Sequence, residues 1–455
     1  MTDRSYREAL PSPRLEQEMG TWKKQYTENE ALVEANRCLF YHDAPCISAC
    51  PTSIDIPEFI RRIATRDHRG AARKILEANV LGLSCGIVCP VEVLCVGDCV
   101  YNHMGVPPIQ IGKLQYFAVR DAYDRGIRFW DRGAPTGLRV ACLGAGPASL
   151  AAAHELTRLG HEVVVFEKRR LPGGLNTTGV APYKMKAEES LEEVEWVQKI
   201  GFEIRRGVEV GKDLSFAELE RQFDAVFIGV GLGPDSYLSI PGRELRSVAG
   251  AVDLIERFKN EPRLAMDGVR SVVVVGGGNT ALDVVRETTR LGVASVTLVY
   301  RRAEDEMTGY DHEHKAAAQE GVRFLYQAHP VAFLGDGAVR SVRLVRTRSG
   351  PTDSAGRSQP VPVAGSEFEI PADLVVLAIG QSKLESLFSK VPGIVFEGGR
   401  LQVDPETYRT GNPRYYGGGD CVNGGKEVVN AAAHGRIAAR AMDQALATRS
   451  KEARA

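Results

Sequence analysis

Short apolar runs that end in glycine, each followed by an amphipathic stretch, set the rhythm of most of this chain. The order strand, glycine turn, helix, strand occurs twice, at Arg139–Lys168 and at Ser271–Arg302, which predicts two dinucleotide-binding units of the Rossmann type. Apolar runs ending in glycine recur at Ala225–Gly231 and Leu374–Gly380. The chain closes with Tyr415–Asp420 and a helix-like Val428–Ala445, followed by a polar tail expected to fray. Ahead of residue 130 the pattern is different. Short helical pieces are predicted at Ile56–Ala64, Gly70–Ala78 and Ile111–Arg125, and Arg132–Gly137 reads as a Gly/Pro linker. The predicted class is α/β: a helical module over 1–132, a discontinuous first dinucleotide domain over 138–265 and 380–447, and a second over 266–379.

Composition adds exclusions. At roughly 150 residues per domain, 455 residues suit about three domains. With 57 basic and 58 acidic residues the net charge is −1, so no general electrostatic pull toward nucleic acid or an anionic membrane is expected. No apolar run approaches the roughly 20 residues needed to span a bilayer. Residues Met1 to Gly20 are polar and charged, so the expected location is cytoplasmic.

The two glycine turns differ. The first follows Leu138–Leu143 and reads Gly144-Ala-Gly146-Pro147-Ala148-Ser149. Gly144 permits the tight turn, Gly146 lets the backbone approach a pyrophosphate, and the helix N-terminus faces the phosphates. Ser149 replaces the usual third glycine but still allows close packing. Glu167, 21 residues past Gly146, ends the next strand where a carboxylate accepts from ribose hydroxyls. The second turn contains Gly276, Gly278, Asn279 and Thr280, and its second strand runs into Arg301 and Arg302. Arginine there suits the 2′-phosphate of NADP, unless the pair is simply a solvated strand end. FAD is therefore expected at the first turn and NADPH, or alternatively NADH, at the second. Gly174 and Leu175 in Pro172-Gly-Gly-Leu read as a loop against the flavin, or as a plain turn. Gly419 and Asp420 read as a contact to the flavin's ribityl or pyrophosphate part, or as a helix cap. No cysteine lies between residues 143 and 420, which excludes a dithiol in the nicotinamide unit.

Nine cysteines are present, seven of them between Cys38 and Cys99. The spacing is Cys38-x7-Cys46-x3-Cys50-Pro51, then Cys85-x3-Cys89-Pro90-x4-Cys95-x3-Cys99. Cysteine runs ending in Cys-Pro are typical of iron–sulfur ligation. Structural zinc or free thiols are the alternatives. Two [4Fe–4S] clusters need about eight ligands, so either one ligand is not cysteine or only one cluster is complete.

These motifs carry a resemblance. Glu34-Ala-Asn-Arg-Cys38, Asp43-Ala-Pro-Cys46, Gly82-Leu-Ser-Cys85-Gly-Ile-Val-Cys89-Pro90, Leu94-Cys95-Val-Gly-Asp-Cys99 and Ile111-Gly-Lys-Leu-Gln115 resemble the N-terminal module of dihydropyrimidine dehydrogenase. Over roughly residues 30 to 445 the chain is similar to the small electron-input subunit of the bacterial two-subunit form. The small subunit of glutamate synthase shares the architecture, but that branch usually has glutamate where Gln115 stands. The resemblance implies one cluster on Cys50, Cys89, Cys95 and Gln115, and another on Cys38, Cys46 and Cys99. The second set's remaining cysteine falls at Tyr41, with Cys85 and His42 as other neighbours. Gln115 could otherwise be an ordinary polar helix residue.

The implied path is NAD(P)H to FAD to the clusters to an FMN- and cluster-bearing partner subunit in a hetero-oligomer, where uracil or thymine is reduced. Hydride transfer to a flavin needs stacking geometry and no acid–base pair, so no catalytic side chain is expected here. A zinc-bearing flavoprotein without clusters is the other class to separate.

Overall fold

The computed structural model describes residues 5–262, 266–352 and 356–452. The N-terminal module packs five short helices, Glu28–Ala35, Ile56–Ala64, His68–Ala78, Gly82–Val88 and Ile111–Asp124, against one another. Three of these starts are set locally. Thr27 and Asp67 cap their helices through side-chain oxygens, and Asp55 does so ahead of Ile56-Pro57. Between helices the chain is loop and single turns, and all of the clustered cysteines except Cys85, which lies in Gly82–Val88, sit there.

The first α/β unit is a parallel five-stranded sheet in the order Tyr415–Gly417, Ala225–Ile228, Arg139–Leu143, Glu162–Glu167, Glu203–Arg206. The last-named strand in sequence returns after some 190 residues to the edge beside Ala225–Ile228, so this unit is discontinuous as expected. The final helix, Val428–Glu452, packs along Pro147–Arg158. It runs on past Ala445, where fraying was expected. Met442 and Leu446 are buried on its inner face and hold that turn in place.

The second unit's parallel sheet has the order Val248–Gly250, Leu374–Leu377, Ser271–Val275, Ser295–Tyr300, Arg323–Tyr326. Pairing thus puts Val248–Gly250 in the second sheet, ahead of the boundary expected at 265/266, which falls against residues 263–265, outside those described. A smaller antiparallel sheet, built on Ala328–Asp336 and Ala338–Thr352, covers one face.

An N-terminal strap joins the units. Ser5 and Tyr6 bond to Glu195 and Gln198 of the first unit, while Leu15 and Met19 are buried in the second unit's core. Lys259, fully buried on helix Ala251–Asn260, donates to the carbonyls of Asn176, Val180 and Met185 at 3.1, 2.8 and 2.9 Å. No described helix is long and apolar enough to cross a membrane.

Candidate functional site

Three separate segments meet at the first glycine turn. Gly144 has φ +83°, and a Cβ there would lie 2.7 Å from the Gly229 carbonyl oxygen, so only glycine fits. Around Gly146 the backbone is open, with Gly174 Cα the nearest atom at 3.8 Å from a built Cβ. The Gly173 N–H donates to the Ala145 carbonyl at 2.8 Å, which lays the Gly174–Leu175 segment on the turn. Gly419, at φ +76°, sits against Ala148, so the Gly419–Asp420 corner closes the same turn from the other side. The Gly419 N–H donates to His434 Nδ1 at 3.2 Å. Ser149, fully buried, bonds back to the Leu143 carbonyl at 3.3 Å. This open cradle of backbone at a helix N-terminus fits a dinucleotide pyrophosphate.

Glu167 is buried and already engaged. Its two oxygens accept from the Ala145 and Arg169 N–H groups at 2.7 and 2.8 Å. Each carboxylate oxygen can accept more than once, so the bracing of the turn and a ribose contact are compatible. Burial raises the Asp420 carboxyl above its usual range, only partly offset by the Lys426 N–H.

The second turn is braced from outside. Gly276 has φ +152°, and a Cβ would meet the Ala378 carbonyl at 2.3 Å. The Thr308 and Gly309 N–H groups donate to the Gly277 carbonyl at 3.1 and 2.9 Å, and the Tyr310 N–H donates to Asn279 Oδ1 at 2.9 Å. From there the Tyr310 hydroxyl donates to Glu427 Oε1 of the first unit at 2.6 Å. The terminal arginines do not act as a pair. Arg301 is exposed, whereas Arg302 is 9% exposed and its Nε donates to the Ser358 carbonyl at 2.7 Å. The two arginines therefore stand differently: Arg302 is buried and its Nε ties the strand end to the segment at 358, while Arg301 is the open one.

The cysteines fall into two groups. Burial, and then the neighbouring thiols of Cys89, Cys50 and Cys46, raise the Cys95 thiol well above its ordinary range. The neighbouring Cys85 side chain, and then burial, raise the Cys89 thiol likewise. Gln115 is buried beside them, its amide nitrogen donating to the Gly82 carbonyl at 2.8 Å, which leaves the amide oxygen on the other side. The second group, Cys38, Cys46 and Cys99, lines one apolar cleft together with Tyr41. Burial, then Cys38 and Cys99, push the Cys46 thiol up to about 12. Among the described residues no three His, Cys, Asp or Glu side chains converge tightly enough to hold a single metal ion. Donors set around a cleft rather than gathered on a point fit a multi-iron cluster better than one ion.

Sequence reasoning missed the surroundings of the first group. Lys23 Nζ donates to the Gly86 carbonyl at 3.1 Å, and its charge is felt at Cys89 together with that of Glu427. The Cys89 thiol is felt in turn at Tyr310. Glu193, buried on helix Ala187–Gln198, accepts from the Leu83 and Ser84 N–H groups at 2.9 and 3.1 Å and so caps the helix that contains Cys85 and ends at Cys89. None of these carries a motif, and their partners lie far off in sequence.

Comparison with known proteins agrees with this division. Residues 15–127 match the family described as dihydropyrimidine dehydrogenase domain II, 4Fe-4S cluster, and residues 138–435 match pyridine nucleotide-disulphide oxidoreductase. The glutamate synthase [NADPH] small chain of Halomonas elongata is 36% identical over 91% of this chain and 90% of its own length. The NAD-dependent dihydropyrimidine dehydrogenase subunit PreT of Escherichia coli is 34% identical over 92% and 94%. Among solved structures, Mycobacterium tuberculosis FprA in complex with NADPH overlays with a TM-score of 0.57 at 22% identity, covering 70% of this chain and 86% of that one. Thioredoxin reductase of T. acidophilum overlays at 0.54 and 19%, covering 67% and 97%. These two likenesses show the α/β fold. The expected [4Fe–4S], flavin and nicotinamide cofactors agree with the matches.

Proposed function

The chain belongs to the pyridine nucleotide-disulphide oxidoreductase family, and from that premise we propose that it is an electron-input subunit. It takes electrons from NAD(P)H and passes them through its cysteine module to a separate catalytic subunit that reduces uracil or thymine to the 5,6-dihydropyrimidine. The observation that carries this reading is the meeting of three regions at Cys89. Three residues past Cys89, Glu92 of the module lies 3.7 Å from His312 of the nicotinamide unit, and the adjacent Tyr310 hydroxyl donates to Glu427 of the flavin unit at 2.6 Å; the charge of that Glu427 bears on the Cys89 thiol. An electron leaving the flavin unit there enters the module at its inner cysteine group.

The chain's own residues have separable tasks. The Gly144–Ser149 turn with Gly174, Leu175, Gly419 and Asp420 holds FAD, with Glu167 at the ribose. Gly276, Gly278, Asn279, Thr280 and Arg301 take the nicotinamide cofactor. Cys50, Cys89, Cys95 and Gln115 form the inner cluster site, and Cys38, Cys46 and Cys99 the outer one. Bound FAD supplies the conversion between a two-electron hydride and the single electrons that iron–sulfur centres carry. Beside the outer group, Leu39, Met104 and Val106 are 54%, 58% and 40% exposed. Their segments are tied together by Tyr101 and Arg37. An apolar rim there suits a partner that receives electrons.

Gln115 favours the pyrimidine acceptor. The 36% identity to the Halomonas glutamate synthase small chain supports a second reading, delivery to a glutamate synthase large subunit. Anaerobic NAD(P)H oxidation separates them. Uracil-dependent turnover is expected only with an FMN-bearing catalytic subunit added. Turnover only with a glutamate synthase large subunit, glutamine and 2-oxoglutarate would establish the second reading. Uracil reduction by the isolated chain would defeat the division of labour.

A further inference from the structure

We propose that Tyr41 is the fourth ligand of a [4Fe–4S] cluster held by Cys38, Cys46 and Cys99, its phenolate oxygen standing where a fourth thiolate is expected. The inference rests on the iron–sulfur reading of the module and adds to it an oxygen ligand at one corner of the outer cluster.

Each iron of such a cluster takes one ligand from the protein, so three cysteines leave one corner open. The cleft containing Cys38, Cys46 and Cys99 is lined by two other side chains with a donor atom, Tyr41 and Tyr101. Tyr101 is committed, because its hydroxyl donates to the Arg37 carbonyl. No hydrogen bond engages the Tyr41 hydroxyl among the described residues, and the ring feels Cys46, Cys99 and Cys38 together. The two rival donors are elsewhere. Cys85 is buried one helical turn before Cys89, whose N–H donates to the Cys85 carbonyl at 3.2 Å, and does not line the cleft. His42 is exposed and does not line the cleft.

The backbone is arranged to present this side chain. Phe40 takes the left-handed conformation, φ +57°, which costs a non-glycine residue energy and persists only when its neighbours enforce it. Arg61 enforces it twice. Its guanidinium lies 5.6 Å from the Phe40 ring centroid, and its Nη2 donates to the Phe40 carbonyl at 3.1 Å. Cys38 and Tyr41 thereby reach the same cleft from the two ends of one tight bend. On binding, the phenol releases its proton to solvent and the oxygen donates an electron pair to iron; no electron changes hands. Oxygen is a harder donor than thiolate, so this corner is chemically distinct from the other three.

The test uses the full chain, prepared anaerobically, with Tyr41→Phe and Tyr41→Cys beside it. Resonance Raman excitation in the visible is expected to enhance tyrosinate ring modes in the unsubstituted protein and in neither variant. With about eight irons in the unsubstituted chain, Tyr41→Phe is expected to lose about one on exposure to air, giving the EPR signal of a three-iron cluster. Tyr41→Cys is expected to keep all of them. Tyrosinate modes missing from the unsubstituted chain overturn the proposal whatever the iron count. So does a count of about four irons that Cys50→Ala abolishes, since only the inner cluster is then built. A chain wholly without iron would defeat the iron–sulfur reading of the module itself.

Discussion

The two glycine turns share one local architecture yet are held in opposite ways. At the first, the acid that ends the following strand folds back onto its own turn through the Ala145 N–H, and the 173–175 and 419–420 segments close over it. At the second, the residue ending the strand is followed by an exposed Arg301 and a buried Arg302 that faces away to Ser358. Its support comes from the 308–310 loop and, through Tyr310, from Glu427 of the other unit. The first site is framed by segments of its own unit, 173–175 on one side and 419–420 on the other, with open backbone left at Gly146 between them. The second is braced by the backbone of the 308–310 loop and by one hydrogen bond from Tyr310 to Glu427 of the other unit.

The contrast can be tested most severely at Gly144. Gly144→Val places a side chain against the Gly229 carbonyl in a left-handed backbone, and the purified protein is expected to contain no FAD. Gly276→Ala, equally crowded at Ala378, is expected to keep its flavin and lose NAD(P)H-dependent flavin reduction. Loss of flavin from both variants would erase the distinction.

Acid sharpens it next. Burial, with a smaller contribution from Lys426, lowers the His434 imidazole to about 4. Its folded value lies below the unfolded one, so what it contributes is present above the ordinary histidine range and is lost as pH falls through about 4. Protonation removes the lone pair that accepts the Gly419 N–H. Flavin release, followed by filtration and absorbance, is expected to rise as pH falls toward that value. His434→Ala is expected to release flavin already at neutral pH and to lose the step.

A smaller effect is expected at the second site. Arg301→Ala removes a charge-assisted contact to the 2′-phosphate worth about 1.5–3 kcal/mol, so the KM for NADPH rises about ten- to a hundredfold with that for NADH unchanged. Arg302→Ala is expected to lower thermal stability while leaving the cofactor ratio alone. Equal effects of Arg301→Ala on both cofactors would remove Arg301 from the site. The smallest change is Tyr310→Phe. Loss of one hydrogen bond, about 1 kcal/mol, is expected to change the KM for NAD(P)H about fivefold, with flavin content untouched.

How much of this was legible in the sequence follows from how local each signal is. Strands such as Val272–Val275 and Ala225–Ile228 were readable because they are continuous apolar runs buried on both faces. The glycines were readable because their conformation is fixed within the turn. The partition of the cysteines was readable only through a family resemblance, since spacing alone cannot say which turns face each other. The burial of Arg302 was not readable because its partner Ser358 lies 56 residues on, in another strand. Tyr310 and Glu427 were invisible because the contact spans 117 residues of sequence. The antiparallel sheet over 328–371 escaped notice even though Asp336-Gly337, with Gly337 at φ +68°, makes the turn between its two long strands, because Ala338–Thr352 alternates polar and apolar residues in place of a continuous apolar run.

The strap at the N-terminus has a mechanical consequence. Any swivel of the nicotinamide unit against the flavin unit would have to draw Leu15 and Met19 out of a core in which they are 2% and 6% exposed. At about 1.5–3 kcal/mol for each large apolar side chain, that extraction alone makes an open rotamer of the whole molecule rare. Lys259 would also have to surrender three carbonyls at once. The two nucleotide units thus travel as one body, and the way in for a nicotinamide ring has to open by local movement within that body and not by a swing of one unit away from the other.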